Sequence, residues 1–306
     1  MLLVTSVIWG VAGPVIKFTL QYYPPLIFLT YRFFMSSLIA VPFIARDHHA
    51  AHMKSPKKIF NVLLYSVLAV PVTLGLLFYG FEKTTVLSGT LLMTIGPLLT
   101  IVLSALFFRE HVTRIERAGI ALAFFGSIIT IVGPVIGGDG VSVGALEGNL
   151  LITAAVMLDT VAALMVKILN REDIPAALTS HASFLIGFLL FLPLTLAQYP
   201  PAVILKTIAE APFVAHAGVL FMAILSGTLA YTLRNRAVKT IELSEAAVYG
   251  YLHPLWAAPL ALLWLHERVT VPFVVGAMLI SGGVILAERK KRKHRKQPRR
   301  YRASVV

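Results

Sequence analysis

The sequence predicts an all-α integral membrane protein with ten transmembrane helices, arranged as two inverted five-helix repeats. Three observations lead to this prediction: an apolar composition, a series of long apolar runs, and a segment that occurs twice. Hydrophobic residues make up 58% of the chain and charged residues 13%, whereas a soluble domain contains about 25% charged residues. The composition therefore excludes an ordinary soluble domain.

The apolar runs define the expected spans, each long enough to cross about 30 Å of hydrocarbon. We expect helices because an open strand leaves its backbone polar groups unsatisfied in lipid. The expected spans are residues 2–20, 25–45, 60–80, 86–107, 115–136, 147–168, 178–197, 213–233, 243–264 and 271–288.

The duplicated segment is Thr85–Ser127, which matches Glu242–Val284 when the chain is shifted by 157 residues. The aligned pairs include Pro97 and Pro254, Glu110 and Glu267, Thr113 and Thr270, Gly119 and Gly276, and Gly126 and Gly283. Each copy belongs to a unit of five expected spans, and an odd number of spans turns the second unit upside down. Inverted repeats of this kind are the building plan of many secondary transporters.

The repeats divide the chain into four regions. They are a first five-helix repeat at 1–136, an outer linker at 137–146, a second repeat at 147–288 and a basic tail at 289–306. The glycine-rich linker joins two repeats and not two independently folded domains.

The charge distribution predicts the orientation. Residues 288–306 carry ten Lys or Arg and one Glu, so most of the net charge of +13 is local to the tail. Cation-rich connections such as 46–58 and 109–117 alternate with cation-poor ones, and cytoplasmic loops carry the excess of cations. Both termini are therefore expected in the cytoplasm. The basic tail favours contact with membrane lipid over nucleic acid, and Lys17, near a span end, is expected to reach the headgroups.

Cysteine is absent, which excludes disulfides, thiolate metal sites and cysteine nucleophiles. No phosphate-binding Walker A pattern occurs, so nucleotide hydrolysis is not expected. Three histidines near residue 50 (His48, His49 and His52) are expected in a solvated loop, and we expect neither a metal nor a cofactor.

Three features of the sequence occur together in one known family: Trp9-Gly10 with Pro14 and Lys17, Pro25 followed by Arg32, and the doubled proline, glutamate and glycine block. On these features the chain resembles the EamA-type family of the drug/metabolite transporter superfamily. The resemblance implies a secondary transporter in the cytoplasmic membrane that exports small metabolites, amino acids foremost. It also implies that the chain is not an enzyme.

Pro97 and Pro254 are expected to bend their spans. A proline inside a helix removes one backbone hydrogen bond, here to the carbonyls of Met93 and Gly250. In a membrane such carbonyls need a partner, water or a substrate. We therefore expect two bent helices beside a central cavity, with simple packing as the alternative.

The expected substrate wall follows the ninth span, where Glu245, Tyr249, His253 and Trp256 lie at spacings of four, four and three residues. In an α-helix this spacing places the side chains on one face. Aromatic rings with a few polar groups suit a small amphipathic solute. The alternative is ordinary helix packing.

Asp159 lies midway along the sixth span, where a charged group costs at least about 2.5 kcal/mol to insert. Asp159 is a candidate for proton uptake or for binding a substrate ammonium, and a packing role is the alternative. If no proton is taken up, the protein would be a pure facilitator. Trp9, Tyr79 and Tyr231 are further cavity candidates. For Arg32 we expect a structural carbonyl or carboxylate partner.

Glu110 and Glu267 are expected to bind backbone donors at the turns between spans. Thr113, with Glu116 three residues later, has the pattern of a capping box, and Thr270 is expected to cap the tenth span. The two glutamates fall on opposite membrane faces, so they cannot share one active site.

Two other functions are kept as alternatives. A membrane-embedded enzyme needs acids and histidines clustered at one interface, and the sequence scatters them. A non-transporting scaffold needs a solidly packed centre, which is less compatible with two prolines at matching positions.

Overall fold

The computed structural model describes residues 1–46, 55–108, 113–136, 143–172, 174–240, 246 and 248–288. Within these residues every regular element is helical, which confirms the all-α prediction. The α-helices are α1 (Leu2–Thr19), α2 (Pro25–Arg46), α3 (Pro56–Val67), α4 (Thr73–Lys83), α5 (Val86–Met93), α6 (Ile95–Phe108), α7 (Arg114–Ile136), α8 (Val143–Arg171), α9 (Ala176–Gln198), α10 (Pro201–Ala209), α11 (Phe213–Leu220), α12 (Ala230–Thr240), α13 (His253–Leu263) and α14 (Val271–Glu288).

Eight helical stretches in the described part of the chain are long and apolar enough to cross a membrane. They are Leu2–Thr19, Pro25–Arg46, Pro56–Lys83, Val86–Leu103, Arg114–Gly133, Ala145–Val166, Ala177–Gln198 and Phe213–Lys239. The apolar helix Val271–Ala287 is shorter. The predicted span 243–264 is described only in part, so the number of ten helices stays a prediction.

Helices α7 and α14 pack closely and run antiparallel. Gly119, near the start of α7, lies against Gly283 and Ala287, near the end of α14. Gly133, near the end of α7, lies against Pro272, near the start of α14. Because glycine has no side chain, the two backbones approach each other directly, as is common between helices in membranes.

The contacts between these two helices are themselves paired. A Cβ placed on Gly119 would lie 2.5 Å from the carbonyl oxygen of Gly283, and one on Gly276 would lie 3.1 Å from that of Gly126. The shift of 157 residues converts the first pair into the second. The duplicated glycines therefore form a reciprocal contact between the two halves of the chain.

Helices α2 and α9 also run antiparallel. Thr30, near the start of α2, forms a 2.6 Å hydrogen bond with Thr195, near the end of α9. Phe43, near the end of α2, stacks on His181, near the start of α9, with 4.2 Å between the ring centroids. These contacts join the second and seventh predicted spans along their length.

Two π-helical segments interrupt the α-helical pattern, at Leu68–Val72 and at Phe221–Leu229. Directly after the first, Thr73 donates its hydroxyl to the carbonyl of Leu68, five residues earlier, at 2.8 Å. The segments lie in the third and eighth predicted spans, which hold the same place in the two predicted repeats. The apolar periodicity did not predict them, and π turns are frequent at functional sites.

The short helix α10 was also missed by the sequence analysis, which assigned its residues to a connection. It follows Pro200 directly, and it has no buried residue. With nine residues it is too short to cross a bilayer. Its start at Pro201 is typical, because proline suits the first turn of a helix.

Candidate functional site

A cavity of about 160 Å³ lies among the helices of the protein. Residues from α1, α2, α4, α5, α6, α8 and α12 line it, together with residues from the second π-helical segment and with Ala246, Tyr249, Gly250 and His253. The predicted repeats therefore both contribute to its wall. An engineered cavity of about 150 Å³ in another protein admits benzene, so this cavity can hold a small organic molecule.

Both duplicated prolines lie where a span changes its helical form. α5 ends at Met93 and α6 begins at Ile95, two residues before Pro97. A 3₁₀ segment, Val248–Leu252, ends immediately before α13, whose second residue is Pro254. The two breaks face each other, because a Cβ on Gly250 would lie 3.3 Å from the ring of Pro97.

Aromatic side chains form one side of the cavity. The indole nitrogen of Trp9 donates a 3.0 Å hydrogen bond to the backbone carbonyl of Ser226. The ring of Trp9 also meets the edge of Tyr231, with centroids 5.2 Å apart, and lies 6.3 Å from His253. The hydrogen bond fixes the indole, so it offers the cavity a rigid apolar face.

Asp159 and Arg234 form an ion pair in the wall of the cavity. Both carboxylate oxygens of Asp159 accept a hydrogen bond from the guanidinium of Arg234, each at 3.1 Å. The Asp159 side chain is 39% exposed and that of Arg234 is 17% exposed. The guanidinium carbon of Arg234 also lies 5.5 Å from the ring centroid of Trp9. Asp159 is a predicted site residue, whereas Arg234 lies beyond the predicted end of its span at residue 233 and is not.

Arg32 differs from its predicted role. It is fully buried in α2, and none of its three guanidinium nitrogens has a hydrogen-bond partner among the described residues. Its guanidinium carbon lies 5.4 Å from the ring centroid of Phe78, and Arg32 belongs to the wall of the cavity. The expected carbonyl or carboxylate partner is therefore wrong within the described part of the chain.

The cavity brings together five of the eight predicted substrate residues: Trp9, Asp159, Tyr231, Tyr249 and His253.

The other three predicted residues lie elsewhere. Tyr79 is absent from the lining and interacts electrostatically with Tyr199 and Glu82. Trp256 packs against Gly10 of α1, and Glu245 lies outside the described residues. The predicted stripe assumed a continuous α-helix, and the 3₁₀ segment up to Leu252 changes the direction of the side chains along it.

The predicted caps are arranged as follows. Thr113 and Glu116 exchange the two hydrogen bonds of a capping box at the start of α7. The hydroxyl of Thr270 accepts a hydrogen bond from the backbone nitrogen of Phe273, at 3.4 Å, at the start of α14. Glu110 lies outside the described residues.

Glu267 binds a different helix from the one expected. Its carboxylate accepts hydrogen bonds from the backbone nitrogens of Val86 (2.6 Å) and Leu87 (3.0 Å), at the start of α5. Burial raises the pKa of Glu267, against these hydrogen bonds and the nearby charge of Lys17. The carboxylate therefore binds backbone donors at a turn between spans, as predicted, but this turn precedes α5 in the first half of the chain and is not the turn that contains Glu267.

Lys17 is also placed differently from the prediction. Its ammonium donates to the backbone carbonyls of Phe81, Glu82 and Thr84, at 2.8 to 3.1 Å. These carbonyls lie at the end of α4, where the helix dipole favours a cation. Lys17 thus caps a helix and does not reach toward lipid headgroups.

Replacing Glu267 by alanine is expected to destabilise the protein by about 1–2 kcal/mol, because two amides at the start of α5 lose their acceptor. Thermal melting of the purified full chain measures the change. Glu210→Ala is the matched control, since its side chain is 68% exposed and surface substitutions usually stay within about 0.5 kcal/mol. Equal melting temperatures for the two variants would contradict the capping role.

Comparison with known proteins extends these observations. The model of the EamA-like transporter family matches residues 1–132 and 146–288. The uncharacterized transporter YyaM of Bacillus subtilis is 22% identical over 288 residues, which cover 94% of this chain and 92% of that protein. The probable amino-acid metabolite efflux pump of Escherichia coli is 26% identical over 291 residues, covering 93% of this chain and 92% of the pump.

A solved crystal structure has the same overall fold. Its TM-score to this chain is 0.63 at 14% sequence identity, and the match covers 94% of this chain and 98% of that one. The fold similarity therefore extends over nearly the whole of both proteins.

Proposed function

Because the chain belongs to the EamA-like transporter family, we propose that it exports small metabolites such as amino acids across the cytoplasmic membrane by alternating access. Membership makes the chain a multi-pass membrane transporter of small molecules, and not an enzyme. The export of amino acids is supported by the name of the Escherichia coli relative, a probable amino-acid metabolite efflux pump.

The observation that carries the proposal is the central cavity, which combines fixed aromatic rings with charged groups. Binding sites for small molecules are typically apolar clefts with a few well-placed polar groups. Helices from both halves form its wall, so a movement of one half against the other would change access to it. A cavity of this size also argues against a scaffold with a solidly packed centre.

Two inverted five-helix repeats are the architecture that we propose for this movement. The reciprocal contacts of Gly119 with Gly283 and of Gly126 with Gly276 support it, because they join antiparallel helices that are repeat mates. The antiparallel packing of α2 and α9 supports it in the same way. In this architecture both termini lie in the cytoplasm.

Flux measurements on the full-length protein in sealed lipid vesicles test the proposed function. Vesicles loaded with radiolabelled amino acids should release at least one of them faster than vesicles without protein. Release at the protein-free rate for every amino acid would contradict export of this substrate class and favour the scaffold alternative.

Asp159 is the group that we propose for coupling transport to protons. It interacts electrostatically with Tyr65, Tyr231, Arg234 and His253, and its carboxylate holds Arg234 through two hydrogen bonds. Protonation of the carboxylate would weaken its attraction for Arg234 and free that cation to move.

Asp159→Asn is therefore expected to abolish the dependence of flux on pH. The asparagine keeps the size of the side chain and removes its titration. His253→Gln is the comparison variant, because it removes the neighbouring imidazole. The flux of each variant is measured in vesicles with a pH gradient. An unchanged pH dependence in Asp159→Asn would favour a facilitator.

A further inference from the structure

Arg32 is a buried cation in the cavity wall whose hydrogen-bonding capacity is unused. Its side chain has 0% relative exposure, and its three nitrogens have no hydrogen-bond partner within the described ranges. A guanidinium carries five N–H donors and always keeps its charge. A charge taken out of water without a partner is costly, so its position needs an explanation.

The charges nearby do not neutralise Arg32. Arg234, the other arginine of the wall, is paired with Asp159 through two hydrogen bonds. Tyr231 interacts electrostatically with all three of these side chains, so it lies among them. Among the described residues, Arg32 lies over the ring face of Phe78 and interacts electrostatically with Tyr231, and neither side chain carries a negative charge. The described wall of the cavity therefore has a surplus of one positive charge.

We infer that Arg32 binds the carboxylate of the transported solute, which makes this carrier selective for organic carboxylates, amino acids included. The inference rests on the proposed function and adds the class of substrate. A planar guanidinium matches a carboxylate through two parallel hydrogen bonds. One negative charge on the solute balances the surplus charge, and the aromatic rings of Trp9 and Tyr231 suit its apolar body.

The carboxylate must reach a side chain that is covered in this conformation. The residues beside Arg32 belong to α4, which carries Phe78, and to α12, which begins one residue before Tyr231. Each of these helices directly follows a π-helical segment. π-Helical turns are frequent at functional sites, and a change of helical register in either segment would move the residues after it, Phe78 and Tyr231 included.

Thermal shift of the purified full chain with three related probes tests the inference. L-Phenylalanine carries a carboxylate and an ammonium, hydrocinnamate carries only the carboxylate, and phenethylamine carries only the ammonium. We expect the first two to raise the melting temperature and phenethylamine to leave it unchanged. Stabilisation by phenethylamine alone, or by none of the three probes, would overturn the inference.

The variants separate binding from folding. Arg32→Met should abolish the stabilisation by both carboxylates, and Arg32→Lys should weaken their binding roughly tenfold, because an ammonium lacks the two-pronged geometry. Lys206→Met removes an exposed cation away from the cavity and should respond to the probes as the unmodified protein does.

The melting temperature of Arg32→Met without probes distinguishes a ligand-binding role for Arg32 from a structural one. If Arg32 only awaits a ligand, Arg32→Met removes an uncompensated buried charge and should melt no lower than the unmodified protein without probes. A lower melting temperature, together with unchanged stabilisation by hydrocinnamate, would assign Arg32 to the scaffold and overturn the inference.

The two proposals fail in different ways. Binding of carboxylates that is lost in Arg32→Met, in a protein without flux, would support the inference and reject transport. Flux of amino acids that is equal in Arg32→Met and in the unmodified protein would support transport and overturn the inference.

Discussion

A single methyl group added at Gly283 is expected to lower the stability of the protein by about 1–3 kcal/mol, the usual cost of overfilling a packed interior. The new Cβ would lie 2.5 Å from the carbonyl oxygen of Gly119 and 2.6 Å from the backbone nitrogen of Ala123. Both atoms belong to the backbone of α7, so they cannot rotate away as a side chain can. The two helices would have to separate, which weakens their contact along its whole length.

Gly282→Ala is the matched control for this prediction. A Cβ at this neighbouring position would meet only the end of the Leu122 side chain, at 3.6 Å, an ordinary contact. Alanine is the better helix former by about 1 kcal/mol, so Gly282→Ala should hold or raise the melting temperature while Gly283→Ala lowers it. If both variants melt alike, the close approach of α7 and α14 is not what limits stability.

Arg234→Met is expected to stop transport and to destabilise the protein by about 2 kcal/mol. The loss of one partner from a fully buried ion pair costs about 3–5 kcal/mol. We expect less here because the Asp159 side chain is 39% exposed, and solvent weakens such an interaction. The lost contact of Arg234 with Trp9 adds to the effect on the cavity wall.

A double-mutant cycle with Asp159→Asn isolates the interaction. Arg234→Met leaves a carboxylate without its partner, whereas the double variant removes both charges. The double variant should therefore be more stable than the sum of the single losses predicts, since residues in direct contact are not additive. Thermal melting of the four proteins measures the coupling, and strictly additive losses would show that the pair contributes nothing.

The sequence was most informative about features that depend on composition and spacing. Apolar runs fix the helical class because the bilayer leaves the backbone few alternatives. The doubled prolines marked the two places where helices break beside the cavity. The capping box at Thr113 and Glu116 could be anticipated because both partners lie within one turn.

Contacts between distant residues could not be predicted in this way. Glu267 and Lys17 each cap a helix that is distant in sequence. A local sequence pattern contains no information about such a contact. Arg234 was assigned to a loop because the predicted span ended at residue 233, nearly two helical turns before the end of the helix at Thr240. Arg32 was assigned a partner on the general rule that buried charges are paired, and only coordinates can reveal an exception.

The position of Glu267 has a consequence for how the protein is made. The carboxylate that completes the start of α5 is synthesised 180 residues after Leu87, its hydrogen-bond partner. When the start of α5 is synthesised, the backbone amides of Val86 and Leu87 therefore do not yet have the Glu267 carboxylate as their hydrogen-bond acceptor. A fragment of residues 1–136 produced alone would therefore lack the acceptor of the Val86 and Leu87 amides.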